Sequence, residues 1–506
     1  MKVLSTEQIR LADSYTISHE PVLSLDLMER ASEALAAGFG EYFDEAVPVT
    51  IIAGYGNNGG DGMALARLLA QRGREVTLFV VTPPLRRSPD AEANFRRLPK
   101  LPNLTVEAIG SDLPMPELVD GDVVVDALFG SGLTREPEGF MAELIDHINT
   151  SGALVVAVDI PSGLFGEDNR LNSREHIIRA SLTLTFQFPK LAFFLRENHA
   201  YVGDWIVLEI GLHPDFIAGA ETPWHLTDAE TAGGWLLPRG KFDHKGSNGH
   251  ALLVAGSTGK AGAAVLAVSA CLRSGAGLTT VAIPSGNNII LQTAVPEAMT
   301  IPGSDPGRIT AIPAPGAFSA IGAGPGIGTH PDTGLALEKL LETCTVPLIL
   351  DADAINLLAL DPGSLLKVPK NSILTPHPVE FSRLFGDDPD DYSRLNRLRE
   401  LASFYGLVIV LKGAHTAVAG TDGTVWFNST GNPGMAKGGS GDVLTGIITA
   451  LAARGYDPFT AARLGVYLHG LAGDIAAEEC GQESLIAGDI VASIGQAFVR
   501  LHNNSI

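Results

Sequence analysis

Short, nearly continuous apolar runs alternate with longer helix-spaced segments along most of this chain, and that alternation restricts the fold more than any other feature. In the first half the runs are Val49–Ala53, Glu75–Val81, Asp122–Ala127, Leu154–Asp159, Ser181–Phe186 and Trp205–Ile210. A run that is apolar on both sides of the backbone suits a strand covered on both faces. With helical segments between, such as Gly62–Gln71, the pattern predicts a parallel, doubly wound α/β sheet. Residues 5–38 read as helix interrupted near Pro21. A second series of runs follows at Ala251–Ala255, Leu278–Ile283, Ala320–Gly322, Pro347–Leu350, Ser372–Leu374, Leu407–Leu411 and Thr424–Phe427. Between the two series, residues 213–238 carry Pro and Gly without steady periodicity. A chain of 506 residues exceeds one ordinary core. The expectation is therefore two domains, 1–222 and 223–506.

The balance of charge narrows the partners. With 35 basic against 57 acidic residues the formal net charge is −22, which argues against nucleic acid and anionic membranes. Anionic ligands would have to be held by backbone donors, a few Lys or Arg and metal ions. Cys271, Cys344 and Cys480 follow no ligand spacing, so a reducing cytoplasm is expected. No signal-peptide core or membrane-spanning run is read. A homo-oligomer is expected, with its order open.

Ligands of doubly wound sheets bind at the carboxyl ends of strands, so the loops there carry the argument. Gly54–Gly62 reads G-Y-G-N-N-G-G-D-G and contains G-x-G-x-x-G. It lacks the acidic residue about twenty positions on that would close the next strand and grip a ribose. Glu75 instead opens that strand, which runs into Pro83-Pro84. Asn57, Asn58 and Asp61 are also foreign to a dinucleotide fingerprint. Two further strands end in carboxylates, Asp126 in D-A-L-F-G-S-G-L-T-R-E and Asp159 in D-I-P-S-G. Two such carboxylates beside an Asn-Gly loop point to one shared site.

In the second half, Gly438-Gly439-Ser440-Gly441-Asp442 leads directly into a helix-spaced apolar run. Unpaired N–H groups and the helix dipole there form an anion seat, and Asp442 is expected at the first helical position. A carboxylate beside an anion seat is the minimal equipment for phosphoryl transfer to a hydroxyl. Gly256–Ala264 contains Gly-Lys without the spacing of a nucleoside-triphosphate loop. Gly322–Gly328 permits close backbone approach. Asp351 and Asp353, His377 and Glu380, and Lys412–Thr416 stand at three further strand ends. The polar stretch His244–His250 reads equally as a site loop or a solvated turn.

The loop at Gly438–Asp442 resembles the anion hole of ribokinase-like kinases. Its longer form, N-P-G-M-A-K-G-G-S-G-D, resembles the NAD(P)H-hydrate dehydratases of that fold across about residues 235–500. The first-half loops resemble the NAD(P)H-hydrate epimerase domain, a Rossmann-like α/β/α sandwich, over most of 1–215. The resemblance implies a bifunctional repair enzyme acting on hydrated NADH and NADPH. One half would interconvert R and S epimers. The other would phosphorylate the S form from ADP and release phosphate to restore NAD(P)H. In the epimerase half it implies that Asn57, Asn58, Gly59, Gly60 and Asp61, with Gly130, Ser131, Gly132, Leu133, Thr134, Arg135 and Glu136, hold the hydrated nucleotide. Asp159 would bind it too and be the acid/base residue. Asn58, Asp126 and Ser162 would surround a potassium ion. Lys190 matches a family lysine, although Leu191-Ala192-Phe193 stand where a glycine is expected. In the dehydratase half, Ala263, Gly324, His377 and Asp442 would contact the hydrated dinucleotide, with Asp442 the base. Lys412, Gly413, Ala414, His415 and Thr416, with Gly439, Ser440 and Gly441, would bind the adenine nucleotide. Glu380 would position magnesium through water. Whether ADP or ATP is the donor stays open. A fused kinase for a small hydroxylated metabolite, and a first half that binds without reacting, remain alternatives.

Overall fold

A computed structural model describes residues 1–82 and 86–503. Pro83 and Pro84, read as ending the second strand, lie outside the described residues. The chain divides into two compact units: 2–222 with 390–392, and 223–389 with 393–506 and Met1.

The first unit holds seven strands: β1 Val49–Ala53, β2 Val76–Val81, β3 Leu104–Ile109, β4 Val123–Ala127, β5 Leu154–Val158, β6 Leu182–Phe186 and β7 Asp204–Leu208. They form one sheet in the order β3-β2-β1-β4-β5-β6-β7, and each neighbouring pair is parallel. Both faces are covered, which is why the runs are continuously apolar. Ile51, Val125 and Val156 pack on one side with Leu35, Phe39 and Leu65. Ile52, Val124 and Val155 pack on the other with Leu144 and Ile145. The sequence reading missed β3, an edge strand whose middle residues are exposed and carry no buried pattern. The helix placed at Gly62–Gln71 starts at Asn57, so the Asn-Gly stretch forms its first turns.

The second unit holds β8 Trp224–Thr227, β9 His250–Val254, β10 Leu278–Ile283, β11 Met299–Pro302, β12 Ala320–Ala323, β13 Leu348–Leu350, β14 Ile373–Leu374, β15 Val408–Leu411, β16 Ala417–Ala419 and β17 Val425–Asn428. Their order is β11-β10-β9-β12-β13-β14-β15-β16-β17-β8. The pairs β15–β16 and β16–β17 are antiparallel, so this sheet is mixed. β8, β11 and β16 were not expected. Each is only three or four residues long, too short to show a period. The aperiodic stretch 213–238 contains β8 between two six-residue helices, Pro214–Gly219 and Ala229–Gly234. The helix after the Gly-Ser-Gly loop, Ser440–Ala453, is buried from Val443 to Ala453, as its all-round apolar sequence requires.

The strand order reverses inside each sheet, between β1 and β4 in the first and between β9 and β12 in the second, where β8 is also added beyond β17 at the edge. The crevice outside such a reversal is where doubly wound sheets bind ligands.

Candidate active sites

In the first unit the chain crosses that reversal in close contact. A Cβ at Gly54, just after β1, would stand 2.2 Å from the carbonyl oxygen of Leu128, just after β4. Only glycine lets these two loops meet, and beside them opens a cavity of about 590 Å³. Asn57, Asn58, Asp61 and Asp159 line it, as do Gly130, Ser131, Gly132 and Leu133. Gly59 and Gly60 lie in the same helical turn, behind the lining. Thr134, Arg135 and Glu136 are not brought to the wall. Glu136 is turned to Ser173, whose N–H and hydroxyl donate to its carboxylate at 2.7 Å each.

Asp159 is held in a left-handed conformation, φ 66°, which a non-glycine residue rarely adopts. Its Oδ1 accepts from Lys190 Nζ at 2.5 Å and from the Phe186 N–H at 3.3 Å, and its Oδ2 accepts from the Ser131 N–H at 3.4 Å. Burial alone would raise its pKa, but the Lys190 ammonium and these donors hold it below the usual range. Lys190 is 1% exposed and also donates to Thr185 Oγ1 at 2.7 Å. The unexpected Leu191-Ala192-Phe193 belongs to a buried 3₁₀ turn, Leu191–Phe194. Ala192 and Phe193 pack there with Ile160, Leu164 and Val202, and Lys190 keeps its place.

Asp126 lies beneath, fully buried. Its carboxylate accepts from the Ser162 hydroxyl at 2.6 Å and N–H at 2.8 Å, and from the Leu128 N–H at 3.1 Å. Burial pushes its pKa up to about 6, against the pull of these hydrogen bonds. The Phe129 N–H donates to Ser162 Oγ at 2.8 Å, tying this pair to the loop that continues into Gly130. Asn58 Nδ2 is buried without a hydrogen-bond partner. The oxygens of Asp126, Ser162 and the Phe129 carbonyl stand together here, a donor set that suits a hard cation.

The first unit also holds a carboxylate that no motif singles out. Asp13, on the helix Thr6–His19, lines the same cavity. Only the helical period could have pointed to it, since it breaks the apolar stripe of Ile9 and Ile17.

In the second unit, Gly324 follows β12 with φ 136°, and a Cβ there would stand 1.9 Å from the Asp351 carbonyl oxygen. Ala263 is brought beside the same loop: a Cβ at Gly326 would lie 3.1 Å from its own. Asp351 is 1% exposed; its Oδ1 accepts from Lys412 Nζ at 2.8 Å and its Oδ2 from the Thr445 hydroxyl at 2.7 Å. It thus ties the strand end β15 to the helix behind the glycine loop. Glu380 Oε2 stands 3.7 Å from Lys412 Nζ and accepts from the His377 N–H at 2.9 Å. His377 caps the helix Pro378–Phe385, its Nδ1 accepting from the N–H groups of Val379 and Glu380. Burial would lower the Lys412 pKa, but the Asp351, Glu380 and Asp442 charges raise it.

Gly439, at φ 96°, caps the helix Ser440–Ala453, which places Asp442 at the third helical position rather than the first. Burial pushes the Asp442 pKa up to about 6, the Asp351 charge adding to it and Lys412 opposing. Gly441 lies beside the ion pair: a Cβ there would be 3.6 Å from Lys412 Nζ. The Ser440 hydroxyl is 3.2 Å from His469 Nε2, and burial pulls that imidazole down to about 4, so it stays neutral. Gly413–Thr416 is the turn between β15 and β16, closed by a bond from the Gly413 N–H to Thr416 Oγ1 at 3.2 Å. His415 faces the carbonyl of Asn428 at 3.4 Å. His244, left open above, accepts from the N–H groups of Gly246 and Ser247 in its own exposed turn. Among the described residues no group of three or more His, Cys, Asp or Glu could cage a metal. The carboxylates of Asp351 and Glu380 beside Lys412 are oxygen donors of the kind that suit a hard divalent cation.

Known proteins match both units. The family described as NAD(P)H-hydrate dehydratase matches residues 251–495, and the one described as YjeF-related protein N-terminus matches 24–192. A bifunctional NAD(P)H-hydrate repair enzyme of Moorella thermoacetica is 36% identical over 97% of this chain and 95% of its own. The chain belongs to the bifunctional NAD(P)H-hydrate repair enzyme family. The family's member from Escherichia coli is 36% identical, over 93% of this chain and 88% of its own. The crystal structure of a ribokinase-like superfamily protein from Enterococcus faecalis matches with a TM-score of 0.50 and 27% identity. It covers 56% of this repair-family chain and 98% of its own, and it carries the ribokinase-like fold.

Proposed function

We propose that the first unit interconverts the R and S epimers of hydrated NADH and NADPH, and that the second restores NAD(P)H from the S form with ADP. The observation that carries this is near-full-length kinship with bifunctional repair enzymes in a chain whose two units each hold a Lys–Asp pair at the carboxyl ends of their central sheet, beyond β5 and β6 in one and beyond β13 and β15 in the other. The domain division proposed is 1–222 for the epimerase and 223–506 for the dehydratase.

In the first unit, the Asn57–Asp61 turn and Gly130–Leu133 hold the hydrated nucleotide, with Thr134, Arg135 and Glu136 set back from the cavity wall, and Asp159, kept ionised by Lys190, handles the proton at the ring hydroxyl. Asn58, Asp126 and Ser162 would hold potassium, which when bound supplies positive charge behind the nucleotide-binding turn.

In the second unit, Ala263, Gly324 and His377 contact the hydrated dinucleotide, and Lys412–Thr416 hold the adenine nucleotide. Asp442 takes the proton of the attacking ring hydroxyl, and the Gly439–Gly441 amides stabilise the transferring phosphoryl group. Magnesium on the phosphates would neutralise donor charge, with Glu380 placing it through water. Once phosphorylated, the ring oxygen leaves as phosphate while the ring nitrogen lone pair forms a C=N bond, and loss of a proton to water from the adjacent ring carbon then restores the ring double bond and the nitrogen lone pair. The donor is ADP, the setting the cytoplasm, and the assembly a homo-oligomer.

The test is incubation of the full chain with mixed epimers, ADP and magnesium, following the absorbance of reduced nicotinamide. Complete recovery supports both activities. Recovery of the S fraction alone removes the epimerase, and a stable phosphorylated product would mark a small-metabolite kinase instead.

A further inference from the structure

The cavity of the first unit holds a titratable group that the roles above do not use. Asp13 sits between Ile9 and Ile17 at successive i, i+4 positions on the side of helix Thr6–His19 that lines the cavity. Asp61 and Asp159 line the same space. With Asp90, four carboxyl groups therefore share one cavity, and the buried Lys190 ammonium is committed to Asp159 at 2.5 Å. Among the described residues no ion pair joins Asp13 or Asp61. The guanidinium of Arg10, one turn before Asp13, is turned to the Gly132 carbonyl at 3.0 Å.

These surroundings drive the groups apart. Asp13 is pushed up to about 6 by burial first and then by the Asp159 charge, with Lys190 opposing. Asp61 is also raised, by burial and then by Asp159, Asp13 and Asp90. Asp159 is held low. Carboxyls that share a site but differ in this way divide into an acid and a base. Of the two raised groups, Asp61 is 8% exposed within its helix, whereas Asp13 is half-buried and can exchange its proton with solvent.

Resting on the epimerase reading, we propose that Asp13 is a second catalytic residue of this site, the acid that protonates the departing ring hydroxyl while Asp159 receives the proton of the returning water. The Asp13 proton passes to the hydroxyl oxygen. The C–O bond breaks with its electron pair leaving on oxygen as water, and the ring nitrogen lone pair forms a C=N bond. Water then adds to that carbon from the other face, the C=N pair returns to nitrogen, and the surplus proton goes to the Asp159 carboxylate. An alkyl oxonium is so strong an acid that even a carboxylate of depressed pKa accepts its proton. Exchange with solvent resets both groups, and the reverse reaction exchanges their roles.

The test uses the full chain, purified R-form hydrated NADH and no ADP, with epimers separated chromatographically and spontaneous interconversion subtracted. Asp13→Asn should lower kcat for epimer exchange by about a hundredfold or more, with KM changed less than about threefold. In the wild type kcat/KM should fall as pH rises past about 6, because the acid must be protonated, and that limb should be missing in the variant. Asp13→Glu should recover part of the rate. Dehydration of the S form by the same preparations, with ADP and magnesium, reports that the variant chain is intact. A raised KM at unchanged kcat, or a kcat loss under about tenfold, overturns the proposal and leaves the epimerase reading standing. A wild-type chain that does not interconvert epimers overturns both.

Discussion

Lys190 Nζ stands 2.5 Å from Asp159 Oδ1, and at 1% exposure the lysine has no water to turn to. Removing one member strands the other charge, a loss of about 3–5 kcal/mol for buried pairs. Lys190→Met should therefore destabilise the chain. In the wild type the depressed Asp159 pKa gives stability that is present above the ordinary carboxylate value and lost as pH falls through the folded value. In the variant the stranded carboxyl holds its proton, and its stability falls as pH rises. Both effects make the deficit largest near neutral pH. Urea unfolding from pH 4 to 8 should show it growing with pH, and the double variant with Asp159→Asn should flatten it.

Asp159→Ala should abolish epimer exchange and leave S-form dehydration unchanged, because the proposed groups for that step lie on the other sheet. Consumption of the R form at the wild-type rate would remove Asp159 from the mechanism.

Asp442→Asn should leave a folded chain that binds ADP and exchanges epimers, with dehydration reduced by about a hundredfold to ten-thousandfold. A base must be ionised, so wild-type kcat/KM for dehydration should rise with pH through about 6. The same raised pKa means the folded chain loses stability as pH climbs from the unfolded value toward about 6. The variant should thus match or exceed wild-type thermal stability at pH 8, with the difference fading toward pH 4. A dehydration loss under about tenfold would show that the carboxylate serves as a helix-terminal charge instead.

Residues 1–222 and 223–506, expressed apart, should each fold and keep one activity, since each has its own sheet and core clusters. That cut leaves Met1 and residues 390–392 on fragments other than their compact units, so fraying should be confined to those positions. An insoluble fragment beside a well-behaved full chain would refute the independence.

What the sequence determined by itself was the architecture and the addresses of the loops. Runs such as Val123–Ala127 are apolar at every position because both faces of their strand are covered, and that needs no partner to be recognised. Glycines at Gly54, Gly324 and Gly439 were legible because backbone approach and positive φ leave few alternatives. The sequence did not reveal β3, β8, β11 and β16, since short or exposed strands are defined by their neighbours rather than by a period of their own. Nor did it reveal which charges meet. Lys190 reaches Asp159 across thirty-one positions and Asp351 reaches Lys412 across sixty-one, contacts made when separate strand ends converge. Asp13 joins its site from a helix far away in the chain. Pairing and burial are properties of the folded chain, and they decide which carboxyls hold a proton and which give one up.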